Sequence, residues 1–183
     1  MAIKYISDLH WYDINSLYWR DSLGLSLSGY VEMCVEVWND SCSEEDIILL
    51  VGDIGIDKPC TISALCSLKG TKVLVLGNHD LDWSKDSLRK CFKATTSALT
   101  LGNVLVQHEP ITGWDSNAYL VHGHHHSYIA KGMEKARLDY LHDRTRLNCC
   151  ADLNNHKPCT LLELQINKEN VRNVGSSLLT ERI

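Results

Sequence analysis

The chain has 183 residues, of which 44% are hydrophobic, and a formal net charge of −5. This length suits one domain over residues 1–183 that buries about 70% of its unfolded surface. The negative charge and the lack of any Lys/Arg run argue against a broad nucleic-acid-binding face. No apolar stretch reaches the roughly 20 residues of a membrane helix. We therefore expect neither extended nucleic acid nor a membrane as a partner.

Five short apolar runs predict strands buried on both faces, because each run ends at a glycine or a turn residue. In chain order they cover residues 3–6, 47–51, 72–76, 104–106 and 119–121. A polar cluster follows each run. The clusters are Ser7-Asp8-Leu9-His10, Gly52-Asp53, Gly77-Asn78-His79-Asp80, Gln107-His108-Glu109-Pro110 and Gly123-His124-His125-His126. In sheets of this kind ligands gather outside the carboxyl ends of the strands, so we expect the five loops to converge on one edge.

The spacers between the first clusters predict helices over residues 29–38, 59–68 and 84–92. Apolar residues of the first spacer recur at three- and four-residue intervals. Pro59 suits a first helical turn, Ser84 suits a helix start, and Gly70 is predicted to end the second helix. Strands alternating with helices predict an α/β domain with right-handed crossovers.

Beyond residue 95 the pattern becomes β-rich. Residues 98–101 and 104–107 flank Gly102-Asn103, a two-residue hairpin signal. Residues 146–150 and 160–166 predict two further strands near the carboxyl end.

The five polar clusters, in this order, resemble the motifs of the calcineurin-like metallophosphoesterase family. Those motifs are D-x-H, G-D, G-N-H-D, a lone His after a strand, and G-H-x-H. Any one of them occurs by chance in many proteins, whereas five in register between strands and helices are specific. The resemblance spans Asp8 to His126. It implies an α/β fold, a two-sheet metallophosphoesterase sandwich flanked by helices, and a hydrolase of phosphate esters.

The resemblance assigns seven ligands to two divalent metal ions. One ion would be held by Asp8, His10 and His126, and the other by Asn78, His108 and His124, with Asp53 bridging both. Ions about 3.5–4 Å apart need a shared carboxylate to offset their repulsion, and they can clamp a bridging hydroxide for in-line attack on phosphorus. Imidazole, carboxylate and amide donors suit Mn, our first choice, or Fe, Zn, Co and Ni. In an extended loop, His125 would face away from the metals.

The resemblance also gives His79 a catalytic role that does not involve binding metal. It would lie over the reacting phosphate, where it could stabilise charge or protonate the leaving oxygen, an effect of about 10²–10⁴-fold in rate. Asp80 is predicted to orient the His79 ring through its other nitrogen.

Taken one at a time, these residues have ordinary structural interpretations. Asp8 or Asp53 alone is more often a helix cap or a turn acid. His122 lies outside the motifs at the end of a predicted strand, which favours packing or a hydrogen bond. His142 and His156 have no partner at ligand spacing, and we interpret both as surface residues.

The eight cysteines form no C-x-x-C pair. Cys34, Cys60, Cys66 and Cys91 lie among apolar or helical residues and are predicted to be buried or partly buried thiols. The adjacent Cys149-Cys150 pair is expected on opposite sides of a strand. Because the amino terminus enters a core strand at once, it does not resemble a removable signal peptide. We expect a cytoplasmic protein.

The loop after His10 bears on the choice of substrate. It contains Trp11, Tyr12, Asp13, Tyr18, Trp19 and Arg20. Aromatic faces can stack on a base and Arg can hold a phosphate, which favours a nucleotide-like substrate. The alternative is that these residues pack a helix against the sheet. The small size predicts an open site, which favours a phosphodiesterase over a narrow monoesterase.

Two other functions remain open at this point. A protein of this fold can serve as a protein-binding scaffold, although scaffolds usually lose ligands that this chain keeps. A repair nuclease of the same family would generally have extra domains and a basic surface. One departure from the family pattern is Ile56, which stands where many members have an acid or Asn three residues after the G-D aspartate. The sequence does not specify the oligomeric state.

Overall fold

The computed structural model describes residues 1–16, 20, 23–111, 113–114, 116–126 and 143–180, with side chains described as far as residue 170. Its first sheet has four parallel strands in the order β1-β2-β3-β4. They are β1 Ile3–Ile6, β2 Ile47–Val51, β3 Thr71–Val75 and β4 Ala94–Thr96. The first two agree with the predicted strands, and the third begins one residue earlier than predicted.

The second sheet also has four strands, in the order β5-β6-β7-β8. They are β5 Ala98–Leu101, β6 Val104–Gln107, β7 Tyr119–His122 and β8 Arg146–Asn148. The hairpin predicted at Gly102-Asn103 is confirmed, since β5 and β6 pair antiparallel and Gly102 has a φ of 60°. The other two pairings are parallel. Strand β8 ends at Asn148, two residues before the predicted end.

A short 3₁₀ helix covers Ala151–Leu153, and α-helices with described bounds flank the sheets. They are α1 Leu27–Ser41, α2 Pro59–Cys66, α3 Lys85–Cys91 and α4 Leu161–Thr180. The hydroxyl groups of Ser26 and Ser84 cap the first turns of α1 and α3. Gly70 was expected to end α2, but that helix ends at Cys66, and Gly70 instead turns the chain into β3 with a φ of 88°.

The strand predicted over residues 160–166 is wrong, because this segment begins helix α4. Thr160 and Glu163 form a capping box. The Thr160 amide donates to the Glu163 carboxylate at 2.7 Å, and the Glu163 amide donates to the Thr160 hydroxyl at 3.3 Å. These two bonds satisfy amides that a helix start otherwise leaves without partners.

The core has two layers, which confirms the predicted two-sheet sandwich with outer helices. Between the sheets, Val51 and Val75 of the first sheet pack with Val106 and Val121 of the second. On the outer face of the first sheet, residues such as Leu50 pack against the helices. None of the described helices is both long enough and apolar enough to cross a membrane.

All eight cysteines lie in described segments and are free thiols. Cys34 and Cys91 are buried as expected, whereas Cys60 and Cys66 are exposed. Both exposed residues belong to the short helix α2, which turns Thr61 and Leu65 inward instead.

Candidate metal centre

The polar loops converge because parallel strands end at the same edge of a sheet. The loops after β1 and β2 run side by side, joined by bonds from the Asp8 amide to the Gly52 carbonyl and from the His10 amide to the Asp53 carbonyl, both 3.0 Å long. The His124 amide donates to both oxygens of Asp8 at 3.0 Å. This last contact brings the second sheet's loop against the first sheet's loops.

Asp8, His10 and His126 form the first of two ligand groups. One nitrogen or carboxylate oxygen of each lies within 4.8 Å of the others. The Nε2 atoms of His10 and His126 are 3.1 Å apart, and Nε2 of His126 is 3.6 Å from Oδ1 of Asp8. Asp8 and His10 are buried and His126 is partly exposed. The three residues expected to bind one ion thus point at a common space.

The second group contains Asp53, His108 and His124, again with donor atoms within 4.8 Å of one another. Nε2 of His108 and Nδ1 of His124 are 3.3 Å apart. The side-chain oxygen of Asn78 lies 3.1 Å from the first of these nitrogens and 3.2 Å from the second. The three residues expected to bind the other ion are therefore also brought together.

Asp53 lies between the two groups. Its Oδ2 is 3.6 Å from Nε2 of His10 in the first group and 3.2 Å from Nε2 of His108 in the second. Its Oδ1 accepts a 2.9 Å hydrogen bond from the amide of His79. A ligand that bridges two ions needs this position between the two sets of donors.

The charges at the site suit a bound cation. Burial, followed by the nearby His126 ring, lowers the pKa of His10 to about 4, so the ring is neutral at neutral pH and one of its two nitrogens has no proton. Burial lowers the pKa of His108, but Asp53 and Asp8 outweigh it and raise that pKa to about 9. His108 is thus protonated against the Asp53 carboxylate, where a metal ion would take the proton's place. The nitrogen and oxygen donors fit a divalent transition metal.

Four of the expected ligands have left-handed backbone conformations. The φ angles are 58° for Asp8, 46° for His10, 55° for Asp53 and 68° for His124. For residues other than glycine this costs of the order of 1 kcal/mol each. Such strain persists where the surrounding structure enforces it, and it concentrates at functional sites.

Two motif glycines allow the ligand loops to approach one another. A Cβ atom on Gly77 would lie against the Asp53 carboxylate and 2.7 Å from its amide nitrogen. A Cβ atom on Gly123 would lie 2.5 Å from Oδ2 of Asp8 and 2.5 Å from Oγ of Ser7. A side chain at either place would displace a carboxylate that the site needs, which explains the glycine in G-N-H-D and G-H-x-H.

His79 is exposed at the metal edge, with its ring centroid 5.2 Å from that of His10. The orienting role expected of Asp80 is not supported. The Asp80 carboxylate is buried and accepts hydrogen bonds from three backbone amides at 2.8–2.9 Å, those of Asp53, Ile54 and Gly77. It turns inward because the loops after β2 and β3 leave these amides without partners. Asp80 therefore joins the two loops and does not orient the His79 ring.

The sequence profile of the calcineurin-like phosphoesterase family matches residues 1–170. The chain belongs to this family. Membership makes it a metal-dependent phosphoesterase, and the two ligand groups are candidate sites for the divalent metals that the family uses.

Two solved structures are similar to this chain, and the first of them supports the fold. The chain is similar to a protein of unknown function, AQ665, from Aquifex aeolicus, with a TM-score of 0.67 and 23% identity over 90% of this chain and 97% of that one. It also matches a Pseudomonas putida nuclease, MPE, with a TM-score of 0.49 and 17% identity over 68% of this chain and 61% of that one. A search of curated proteins returns no significant match.

The loop after His10 does not direct all its side chains toward a substrate. Trp11 is fully buried, and only 4% of Arg20 is exposed. Trp11 belongs to the core cluster, so for it the packing alternative is correct, whereas Arg20 forms an ion pair with Asp152. Tyr12 is partly buried and packs against the helix-side core. Tyr18 and Trp19 lie outside the described residues.

The histidines outside the motifs differ in their surroundings. His122 is fully buried, with Nδ1 2.8 Å from the Gly123 carbonyl oxygen, which agrees with packing and hydrogen bonding. His156 is not the surface residue we expected, because it is only 15% exposed and its Nδ1 lies 3.2 Å from the Tyr30 hydroxyl. His142 lies outside the described residues.

One acid at the phosphoesterase site was not predicted from the sequence. Oδ2 of Asp152 lies 2.8 Å from Nδ1 of His126. A signal for it was present, since Asp152 follows the strand β8 as the other clusters follow theirs. A single acid without a neighbouring histidine, however, does not match any of the five motifs.

Proposed function

We propose that this phosphoesterase hydrolyses a small phosphodiester with two divalent metal ions, Mn²⁺ being the first choice. The observation that supports it best is the position of Asp53, with one carboxylate oxygen within 3.6 Å of imidazole nitrogens from both ligand groups. The side chains of Asn78, His79 and His124 are exposed, so a substrate can reach this edge from solvent.

Two features favour a diester over a monoester. A monoester carries an additional negative charge, for which a bidentate arginine is the usual partner. Arg20, the arginine of the loop after His10, is buried and directs its guanidinium at Asp152 and at backbone carbonyls. Ile14, Ile56 and Leu81, each three or four residues after a proposed ligand, are exposed apolar side chains. They suit the less polar second ester group of a diester.

When bound, the two ions would act as Lewis acids on the phosphoryl oxygens and would activate a water molecule for in-line attack. The chain itself would provide the metal ligands and, in His79, the general acid. The His79 amide is bonded to Asp53 Oδ1, so the position of its ring follows that of the proposed bridging carboxylate. From there the imidazole can donate a proton to the departing ester oxygen.

The test is hydrolysis of bis-p-nitrophenyl phosphate and p-nitrophenyl phosphate by metal-stripped protein, with and without added Mn²⁺. Asp53→Asn removes the negative charge that would offset the repulsion between the two ions. Asp86→Asn, on the exposed surface of α3, is the matched control. We expect Mn²⁺-dependent turnover that favours the diester and that only Asp53→Asn abolishes.

The same experiment can contradict the proposal in two ways. A higher kcat/KM for the monoester would overturn the diester preference. No metal binding would favour a protein-binding scaffold, whereas bound metal without turnover of either ester would favour a narrow natural substrate, with nucleotide diesters tried next. Trp11 and Arg20 are buried, so neither can stack on a base or hold a phosphate. Nucleotide diesters are therefore tested beside simple diesters, without being preferred in advance.

A further inference from the structure

Arg20 and Asp152 form an ion pair beneath the first ligand group. Nε of Arg20 donates to Oδ1 of Asp152 at 2.7 Å, and Nη2 donates to Oδ2 at 3.2 Å. This is the bidentate geometry, in which a guanidinium binds a carboxylate most strongly. Arg20 is 4% exposed and the Asp152 side chain 15%, so water competes little with the pair.

The same guanidinium holds the loop that contains two of the proposed ligands. Nη2 donates to the Asp8 carbonyl at 2.8 Å, and Nη1 donates to the Leu9 carbonyl at 3.1 Å. The guanidinium carbon lies 4.2 Å from the centre of the Tyr30 ring, a cation–π distance. Arg20 thus joins the loop after β1 to the segment after β8.

Asp152 extends this connection to a third ligand. Its Oδ2 is 2.8 Å from Nδ1 of His126. If Nδ1 bears the proton and donates it to Asp152, the lone pair of Nε2 points toward Asp8 and His10, the other two members of the group. An imidazole binds metal through a nitrogen that has no proton.

We propose that Arg20 and Asp152 are positioning residues that set the tautomer and ring orientation of His126 for the first metal ion. This inference rests on the proposed function, whose site it refines. Partners of this kind typically change metal affinity by about 10–100-fold. The pair would act on the first ion far more than on the second, because it contacts Asp8, Leu9 and His126 but not the second group.

Part of this cluster could instead serve as a separate cation site. Asp152, His126 and Cys150 are close enough to hold an additional cation, with the Cys150 sulfur 3.9 Å from each of the other two. Both oxygens of Asp152 are already engaged by Arg20 and His126, however, and a cation there would be repelled by the guanidinium. The positioning role is therefore the better account of this cluster.

The first test measures the tautomer of His126 in metal-free protein by ¹⁵N NMR of the imidazole, so it does not depend on catalysis. We expect the Nδ1–H form in the parent protein and a shift toward Nε2–H in Asp152→Ala. Asp152→Asn keeps an acceptor oxygen and should largely preserve the Nδ1–H form. An unchanged tautomer in Asp152→Ala would overturn the proposal.

The second test is a Mn²⁺ titration of the same variants by calorimetry. We expect Asp152→Ala to weaken one of the two binding steps, that of the ion held by Asp8, His10 and His126, by about 10–100-fold, with a smaller change in the other step and with hydrolysis restored at high Mn²⁺. The matched control is Asp143→Ala, which breaks a comparably buried pair with Arg146 at 2.7 Å away from the metals. Equal losses in both variants would indicate general destabilisation and overturn the proposal.

If Asp152→Ala does not fold, Arg20→Lys takes its place. Lysine keeps the positive charge but cannot make the bidentate contact, so Arg20→Lys should weaken binding of the ion held by Asp8, His10 and His126 while Asp152 keeps its charge. Parent-like Mn²⁺ binding in Arg20→Lys would contradict the proposal. Failure of the proposed function would be seen in the parent protein, which would then bind no Mn²⁺ or turn over no ester, whereas the tautomer measurement would still decide the inference.

Discussion

The backbone amide of His79 donates a 2.9 Å hydrogen bond to Oδ1 of Asp53. The proposed proton donor is thereby attached through its peptide to the carboxylate that lies between the two ligand groups. Its ring remains exposed and available to a substrate. The roles of the two residues can therefore be separated by substitution, because removing the His79 side chain leaves the amide contact in place.

We expect His79→Ala to lower kcat by about 10²–10⁴-fold while metal content stays near that of the parent. If the imidazole protonates the leaving oxygen, the loss should be larger for a phenyl ester than for a p-nitrophenyl ester, since p-nitrophenolate leaves without a proton. Steady-state kinetics on both esters, with elemental analysis of bound metal, provides the measurement. Loss of metal in the variant would show that His79 is a ligand.

Asp80→Asn should act on stability as well as on activity. The carboxylate accepts bonds from three backbone amides, and an asparagine amide group would turn a donor toward at least one of them. An unsatisfied buried donor costs about 1–3 kcal/mol. Urea unfolding would measure this loss. An unchanged free energy of unfolding, combined with the kinetic defect of His79→Ala, would instead restore the ring-orienting role predicted from the sequence.

Gly123→Ala should weaken metal binding without unfolding the protein. The added methyl group would lie 2.5 Å from Oδ2 of Asp8 and force that carboxylate to move. Gly102→Ala is the control, because its Cβ would meet nothing within 4 Å although its φ of 60° makes the turn strained. We expect the control to lose stability and keep its Mn²⁺ affinity in calorimetry. Parent-like affinity in Gly123→Ala would contradict the crowding argument.

The capping box of α4 predicts a pH-dependent contribution to stability. Burial raises the pKa of Glu163, but its bonds to Lys157 and Thr160 outweigh this effect and lower that pKa to about 2. The folded protein therefore binds this proton less readily than the unfolded chain does. The contribution is fully present above the ordinary glutamate pKa of about 4.3, and it is lost as the pH falls toward 2.

Glu163→Gln tests this directly. The difference in free energy of unfolding between parent and variant, measured in urea, should be largest near pH 6 and should shrink as the pH approaches 2.5. Thr160→Ala removes the other half of the box and should cost about 1 kcal/mol, with a smaller dependence on pH than Glu163→Gln, because the Thr160 hydroxyl donates only one of the bonds that the Glu163 carboxylate accepts. A parent-to-Gln difference that stays constant with pH would exclude the ionised carboxylate as the stabilising group.

The local sequence was sufficient to predict most of the fold and the positions of the proposed ligands. Strands β1 and β2, the hairpin at Gly102 and the starts of α2 and α3 depend on residues that are neighbours in the chain. Helix α1 begins at Leu27, two residues before its predicted start. The polar clusters could be placed at one edge because parallel strands must end together. The capping box at Thr160 and Glu163 is also a local pattern. A strand was predicted there because the apolar residues that follow resemble a buried strand.

The sequence by itself determined which residues could bind metal and in what order they occur, because short motifs and strand periodicity are local properties. Only the tertiary structure decided that Asp80 faces backbone amides, that four ligands adopt left-handed φ angles, and that Arg20 meets Asp152 across 132 positions of the chain. These features depend on how two sheets pack together. No local pattern encodes them, since each partner's position is set by a different strand.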